Sequence, residues 1–222
     1  MTDPENDRGS NGSKLRTVVI SGASSDSGRA VAARLMDAGT RVIAVGSRLR
    51  RLADTPAVAR YECDLSSASS VELLAERVRA EHGTIDGLVH LVGGWRAGRA
   101  DDDWAWLQSR IVETFRVTSR AFFSDLLAAP DGRLVMVSST AAQKPTWGNA
   151  NYASAKAAAE AWALSAASGF AKGATAASVI LVVPSLGDSD GATSLSALAE
   201  RIASLWDEPA GDLNGARILV SA

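Results

Sequence analysis

A single cysteine, Cys63, and two histidines, His82 and His90, are all the chain carries of the residue types that cross-link proteins or favour transition metals. One cysteine excludes an internal disulfide and suits a reducing compartment such as the cytoplasm. Two histidines give little support for a His-based metal site or a Ser-His-Asp triad, and no metal is expected. No apolar run reaches membrane-spanning length, and the polar N-terminus lacks the core of a signal peptide. Basic residues form no block, and the net charge is −2. Neither nucleic acid nor an anionic membrane is indicated as a partner.

What the chain does have is a regular alternation of short apolar runs and helical stretches. Residues 1–13 are polar and read as a disordered tail, leaving 14–222 as one domain. Leu15–Ile20 reads as a first strand, followed by the turn Ser21-Gly22-Ala-Ser-Ser-Asp26-Ser27-Gly28 and a helix over Arg29–Ala38. Strand, glycine-bearing turn and helix together aim amide groups at a phosphate, although any tight strand-to-helix turn also favours glycine. Further strands are expected at Arg41–Val45, Val58–Cys63, Gly87–Val92, Gly132–Ser139, Val179–Pro184 and Arg217–Val220. Helices are expected at Val71–Glu81, Trp104–Leu127, Tyr152–Ala171 and Leu195–Leu205. This order implies an α/β fold, a single-domain Rossmann-like doubly wound parallel sheet with helices on both faces. Ligands in such sheets bind beyond the carboxyl ends of the strands.

The stretch from Ser138-Ser139 to Lys156 carries the chemistry. Tyr152 and Lys156 stand four apart on an expected helix, so their side chains share a face. A phenol ordinarily ionises near pH 10, and an adjacent ammonium stabilises the phenolate. Ser139, at the end of a strand, can hold a carbonyl or alcohol oxygen beside that phenol. A plain surface Tyr and Lys at a helix start is the simpler alternative. Both residue types are scarce here, so a chance pairing just after Ser-Ser is improbable.

These residues resemble the short-chain dehydrogenase/reductase family over about residues 15–222. Ser139, Tyr152 and Lys156 match its signature, with the Ser thirteen residues before the Tyr of Y-x-x-x-K. Asp64-Leu65 resembles its adenine-contacting Asp-Val/Leu pair. Gly87-Leu-Val-His-Leu-Val-Gly93 falls where the family has its N-N-A-G strand end, and Pro184-Ser185 where it has a P-G turn. The resemblance implies hydride transfer between NAD(P) and a small carbonyl or alcohol. Tyr152 would be the general acid/base, Lys156 would hold the nicotinamide ribose and Ser139 would orient the substrate. It places the cofactor against Gly22, Ser24, Ser25, Asp26, Ser27, Gly28, Ser47, Arg48, Asp64, Leu65, Val92, Gly93, Gly94, Tyr152, Lys156, Pro184, Ser185, Leu186 and Ser189. The second strand ends without a carboxylate and Arg48, Arg50 and Arg51 follow, which favours NADP, with NAD as the alternative. A homodimer or homotetramer is also implied.

Four of the family's motifs are altered. Asp26 replaces the middle glycine of T-G-x-x-x-G-x-G, His90-Leu91 replaces Asn-Asn, Ser185 replaces the Gly of P-G, and Arg110–Phe115 lacks the Asn that usually holds a water chain behind the Lys. Asp26 either repels a pyrophosphate or turns outward to favour the following helix N-terminus. These departures define the alternative function, a catalytically impaired Rossmann-fold nucleotide-binding or regulatory protein. Trp95 and Trp147 are expected in the core or an interface, with apolar walls for a substrate as the other reading.

Overall fold

The computed structural model describes residues 15–173 and 175–221, and the tail expected over residues 1–13 lies outside them. Its centre is β1 (Thr17–Ser21), a β-branched run in which every residue is buried, as a strand covered on both faces must be. β2 (Arg41–Gly46) and β4 (Gly87–His90) pair with it on either side, both parallel. With β3 (Ala59–Glu62), β5 (Arg133–Ser139), β6 (Ala177–Val183) and β7 (Arg217–Leu219), they form a seven-stranded sheet. Its order is β3-β2-β1-β4-β5-β6-β7. Chain direction across the sheet reverses between β1 and β4, which opens a crevice at their carboxyl ends.

Two apolar layers cover the sheet. On one face Val31, Ala32 and Leu35 of α1 (Asp26–Asp37) pack with Leu198 and Ile202 of α6 (Leu195–Ser204). The other face carries α2 (Ala68–His82), α4 (Thr114–Ala128) and α5 (Ala150–Phe170). The buried face of α5 is built from Ala155, Ala159 and Ala163, small residues that let the helix lie close to the sheet. That closeness places Tyr152 and Lys156 against the end of β5.

The elements differ from the sequence expectations in informative places. α1 starts at Asp26, earlier than the expected Arg29, because the Ser25 hydroxyl accepts from Gly28 N at 3.0 Å and caps the helix. Ser67 caps α2 in the same way. β4 ends at His90, and residues 91–93 continue without strand pairing. The single helix expected over Trp104–Leu127 is three segments: α3 (Asp101–Leu107), a π-helical turn at Gln108–Glu113, and α4. The Thr114 hydroxyl donates to the Arg110 carbonyl at 2.7 Å within that turn. A short α7 (Ala210–Leu213) follows Pro209, whose fixed φ suits a helix entry. No helix among the described residues is long and apolar enough to cross a membrane.

Candidate active site

A cavity of about 570 Å³ runs along the carboxyl ends of β2, β1, β4 and β5. Its first end is the turn after β1. Gly22 has φ +82°, and a Cβ there would lie 2.9 Å from Leu91 C and Val92 N, so only glycine fits between the strands. A Cβ on Gly28 would stand 2.5 Å from Gly22 O, which holds the helix start tight against the turn. The side chains of Ser24, Ser25 and Ser27 line the cavity beside the N-terminus of α1. The helix N-terminus, the serine hydroxyls and the bare Gly22 make a cradle of the kind that takes a pyrophosphate.

Asp26 does not face this cradle. Its carboxylate is paired with Arg29, which also donates to Ser24 O, and its side chain is 78% exposed. Of the two orientations open to it, the structure adopts the outward one, in the first turn of α1. Gly28 acts through its bare backbone and does not line the cavity.

At the end of β2, Gly46, Ser47 and Arg51 line the cavity, whereas Arg48 does not. Arg48 precedes a 3₁₀ turn, Leu49–Leu52, and that turn carries Arg51 inward. The cavity also touches Asp64 and Leu65. Asp64 accepts from the Ser66 amide at 3.0 Å and from its hydroxyl at 2.7 Å, which holds its carboxyl below the ordinary range.

Past β4, Val92, Gly93 and Gly94 form the next wall. A side chain on Gly94 would run into the Trp106 ring, so this glycine serves the packing of α3 on the loop. The guanidinium groups of Arg96 and Arg110 lie over the same ring, 4.1 and 5.1 Å from its centre. Arg110 also donates from Nε to Gly93 O at 3.1 Å, which ties the π-helical turn to the glycines. Trp95 and Trp147 are 65% and 75% exposed, so the expectation that they belong to the core is corrected. Trp95 lines the cavity, and Trp147 carries Arg99 against its ring.

Ser139, Tyr152 and Lys156 converge where β5 meets α5. Tyr152 is shared between the long cavity and an adjoining one of about 550 Å³, which is lined by Ser139, Trp95, Lys144, Pro184 and Leu186. Ser139 Oγ accepts from Ala141 N at 3.2 Å, and its own hydroxyl is directed at the Tyr152 phenol. Lys156 Nζ lies 5.9 Å from the centre of the Tyr152 ring and donates to Val137 O at 2.8 Å. Burial pushes its ammonium down to about 8, opposed by Glu160 one turn along the helix. Burial raises the Tyr152 phenol above its ordinary value, and the Ser139 hydroxyl works the other way.

Leu186 lines both cavities, and Ser185 the smaller one. Ser189 lines neither. It sits in a loop folded on itself, where Gly187 N donates to Thr193 O at 3.1 Å and Ala192 N to Ser189 O at 2.9 Å. Arg51, Arg110, His90 and Thr114 line the long cavity without having been singled out as site residues. The signal for Arg51 was its place in a run of arginines. The others sit at positions that mark departures from the family pattern, or beside them.

Comparison with known proteins bears on the family and the fold. The profile of the family described as short chain dehydrogenase matches residues 16–198. The 3-oxoacyl-(acyl-carrier-protein) reductase of Salmonella typhimurium is 29% identical over 218 residues, covering 93% of this chain and 87% of the relative. An uncharacterised oxidoreductase of Mycobacterium tuberculosis is 35% identical over 150 residues, 65% of this chain and 59% of the relative. Among solved structures, a metagenomic short-chain oxidoreductase in complex with NADP superposes with a TM-score of 0.80 at 24% identity, covering 92% of this chain and 96% of that one. An NAD⁺-bound xylitol dehydrogenase superposes with a TM-score of 0.80 at 18% identity, covering 93% and 97%. At those identities the two structures speak for the fold. With the family profile spanning most of the sequence, the chain belongs to the short-chain dehydrogenase family and is an NAD(P)-dependent oxidoreductase.

Proposed function

We propose that the chain is an NADP(H)-preferring reductase or dehydrogenase of a small carbonyl or alcohol, with Tyr152 as its general acid/base. The carrying observation is the shared position of Tyr152, which faces the dinucleotide-shaped cavity and the adjoining pocket at once. When bound, the nicotinamide cofactor supplies or accepts the hydride. The chain's residues do the rest. Ser139, beside the Tyr152 phenol, turns its hydroxyl to the substrate oxygen, Tyr152 gives or takes the proton there, and Lys156 stabilises the phenolate and holds the ribose. Trp95, Val183 and Leu186 give the adjoining pocket apolar walls that suit a substrate with a hydrocarbon body. The glycine cradle, Asp64-Leu65 and Val92-Gly93-Gly94 take the length of the cofactor. Lone, buried Cys63 suits a cytoplasmic setting, and a homodimer or homotetramer is the assembly that fits the family.

NADP preference rests on Arg51 at the end of β2, where no carboxylate lines the cavity to hold a ribose diol. Arg51→Gln removes the guanidinium that lines the cavity at that strand end. NADPH binding should weaken about 10–100-fold, the value of a hydrogen bond to a charged group, while NADH binding holds. Fluorescence titration of both cofactors measures this. Tighter binding of NADH than of NADPH by the unmodified chain would assign NAD instead.

The outward, paired Asp26 yields a second expectation from the same titration. Exposed pairs are screened and contribute little. Asp26→Gly should therefore change NADPH affinity by less than about threefold. A restoration of otherwise absent binding would support the impaired reading.

A further inference from the structure

His90 is a buried titratable group in the cavity to which none of these roles gives a task. It ends β4, is 4% exposed, and lines the long cavity with Thr114 and Lys156. Its Nε2 lies 3.1 Å from Thr114 Oγ1, and that hydroxyl donates its single proton to Arg110 O at 2.7 Å. The hydroxyl can then only accept from the imidazole, so Nε2 carries the ring proton. Nδ1 is left as a bare acceptor, and it has no partner among the described residues. Buried acceptors in native structures find a donor.

Lys156 lines the same cavity, its charge acts on the His90 ring, and it carries donors to spare. One of its N–H groups goes to Val137 O, and the others remain. The titratable and charged groups around Lys156 are Tyr152 and Glu160 on its own helix, His90 on β4, and Arg110 across the cavity. Arg217 of β7 pairs with Glu160. Burial, helped by the charge of Lys156, pushes the His90 imidazole down to about 3. It is neutral throughout the range in which an enzyme is assayed, so it accepts hydrogen bonds and does not ferry protons.

We propose that His90 is a positioning residue for Lys156. Its Nδ1 accepts a hydrogen bond from the ammonium, directly or through one water, while Thr114 and the Arg110 carbonyl lock the ring that does so. The π-helical turn at Gln108–Glu113 leads directly into this lock, with Arg110 inside it and Thr114 just after it. Such turns are frequent at functional sites. The inference rests on the Tyr152–Lys156 reading of the site.

The test uses the purified full chain and the variants His90→Phe, His90→Asn, Thr114→Val and Thr114→Ser. Lysines are few, so the ¹³Cε signal of Lys156 can be titrated by NMR without any substrate. An accepted hydrogen bond favours the ammonium, and its loss favours the neutral amine. The Lys156 midpoint should therefore fall by about one unit in His90→Phe and stay near its starting value in His90→Asn, which keeps an acceptor. Thr114→Val should move it the same way, and Thr114→Ser should restore it. With any carbonyl that the chain reduces, His90→Phe should lower kcat about tenfold or more, with KM for the carbonyl held. An unmoved midpoint in a folded His90→Phe protein overturns the proposal, even if stability drops, because that pattern marks a packing role. Should His90→Phe not fold, the Thr114 pair decides by the same midpoint. A displaced midpoint in a protein that reduces nothing would retain the role of His90 and overturn the reductase reading alone.

Discussion

Tyr152→Phe should bind NADPH like the unmodified chain and turn over about 10²–10⁴-fold more slowly, the usual contribution of a positioned acid/base. Phenylalanine keeps the ring that packs against the apolar layer on that face and removes only the oxygen. Because Ser139 can still polarise the substrate, the loss should fall on kcat with little change in KM. The pH dependence follows from the neighbouring ammonium. In reduction, Tyr152 must be protonated and Lys156 charged. Burial holds the phenol above its ordinary value, so Tyr152 stays protonated through neutrality and beyond. Lys156 loses its charge as pH rises through about 8. Reduction should therefore be fastest below pH 8 and decline above it, and the opposite direction should tolerate alkaline conditions better because a phenolate is then wanted. A Tyr152→Phe variant keeping more than a tenth of the activity would remove Tyr152 from the proton-transfer role. Steady-state kinetics between pH 6 and 10 decide both points.

The parts of this site that were legible in sequence are those dictated by local chemistry. β-branched runs marked the strands, and the spacing of Tyr152 and Lys156 put both on one face of α5. A turn with Gly22 and Gly28 marked the place where backbone must approach backbone. Less legible was anything that depends on side-chain direction. Asp26 and Arg29 stand three apart on a helix, a spacing that permits an ion pair, yet nothing local says that the pair forms outside the cradle. Arg48 and Arg51 read alike in sequence. Only the 3₁₀ turn between them decides which one lines the cavity. The π-helical turn carries no proline or glycine, so the long helical stretch gave no sign of interruption. Trp106 illustrates the same limit from the other side. It crowds Gly94 through a contact between α3 and a loop, and the two residues are linked by no periodic pattern.

Gly28→Ala should abolish cofactor binding, because the added methyl has nowhere to go. It would stand 2.5 Å from Gly22 O and 2.6 Å from the Ala23 Cα, both backbone atoms of the turn it must pack on. A flexible side chain could swing aside, but backbone cannot move without releasing what it holds. Gly22 and Ala23 donate to Val45 O at 3.0 and 3.2 Å, so the turn is fastened to β2. Ser25 is fastened from both sides, donating to Gly22 O at 2.8 Å and capping α1 through Gly28 N. Relief of the clash must therefore either break the cap, at about 1 kcal/mol, or lift the helix from the strands. Both displace the amides that would face a pyrophosphate, and a misplacement of about 1 Å is enough to cost 10²-fold where alignment is the protein's contribution. NADPH titration of Gly28→Ala beside Gly39→Ala separates this from a general cost of losing glycine. Gly39 lies at the far end of the same helix with nothing within 4 Å of its position, and its φ of +77° makes alanine costly there in strain alone. The expected result is a Gly39→Ala protein that is less stable and still binds, and a Gly28→Ala protein that does not bind. Equal binding by both would mean that the cradle at Gly28 is not where the phosphates lie.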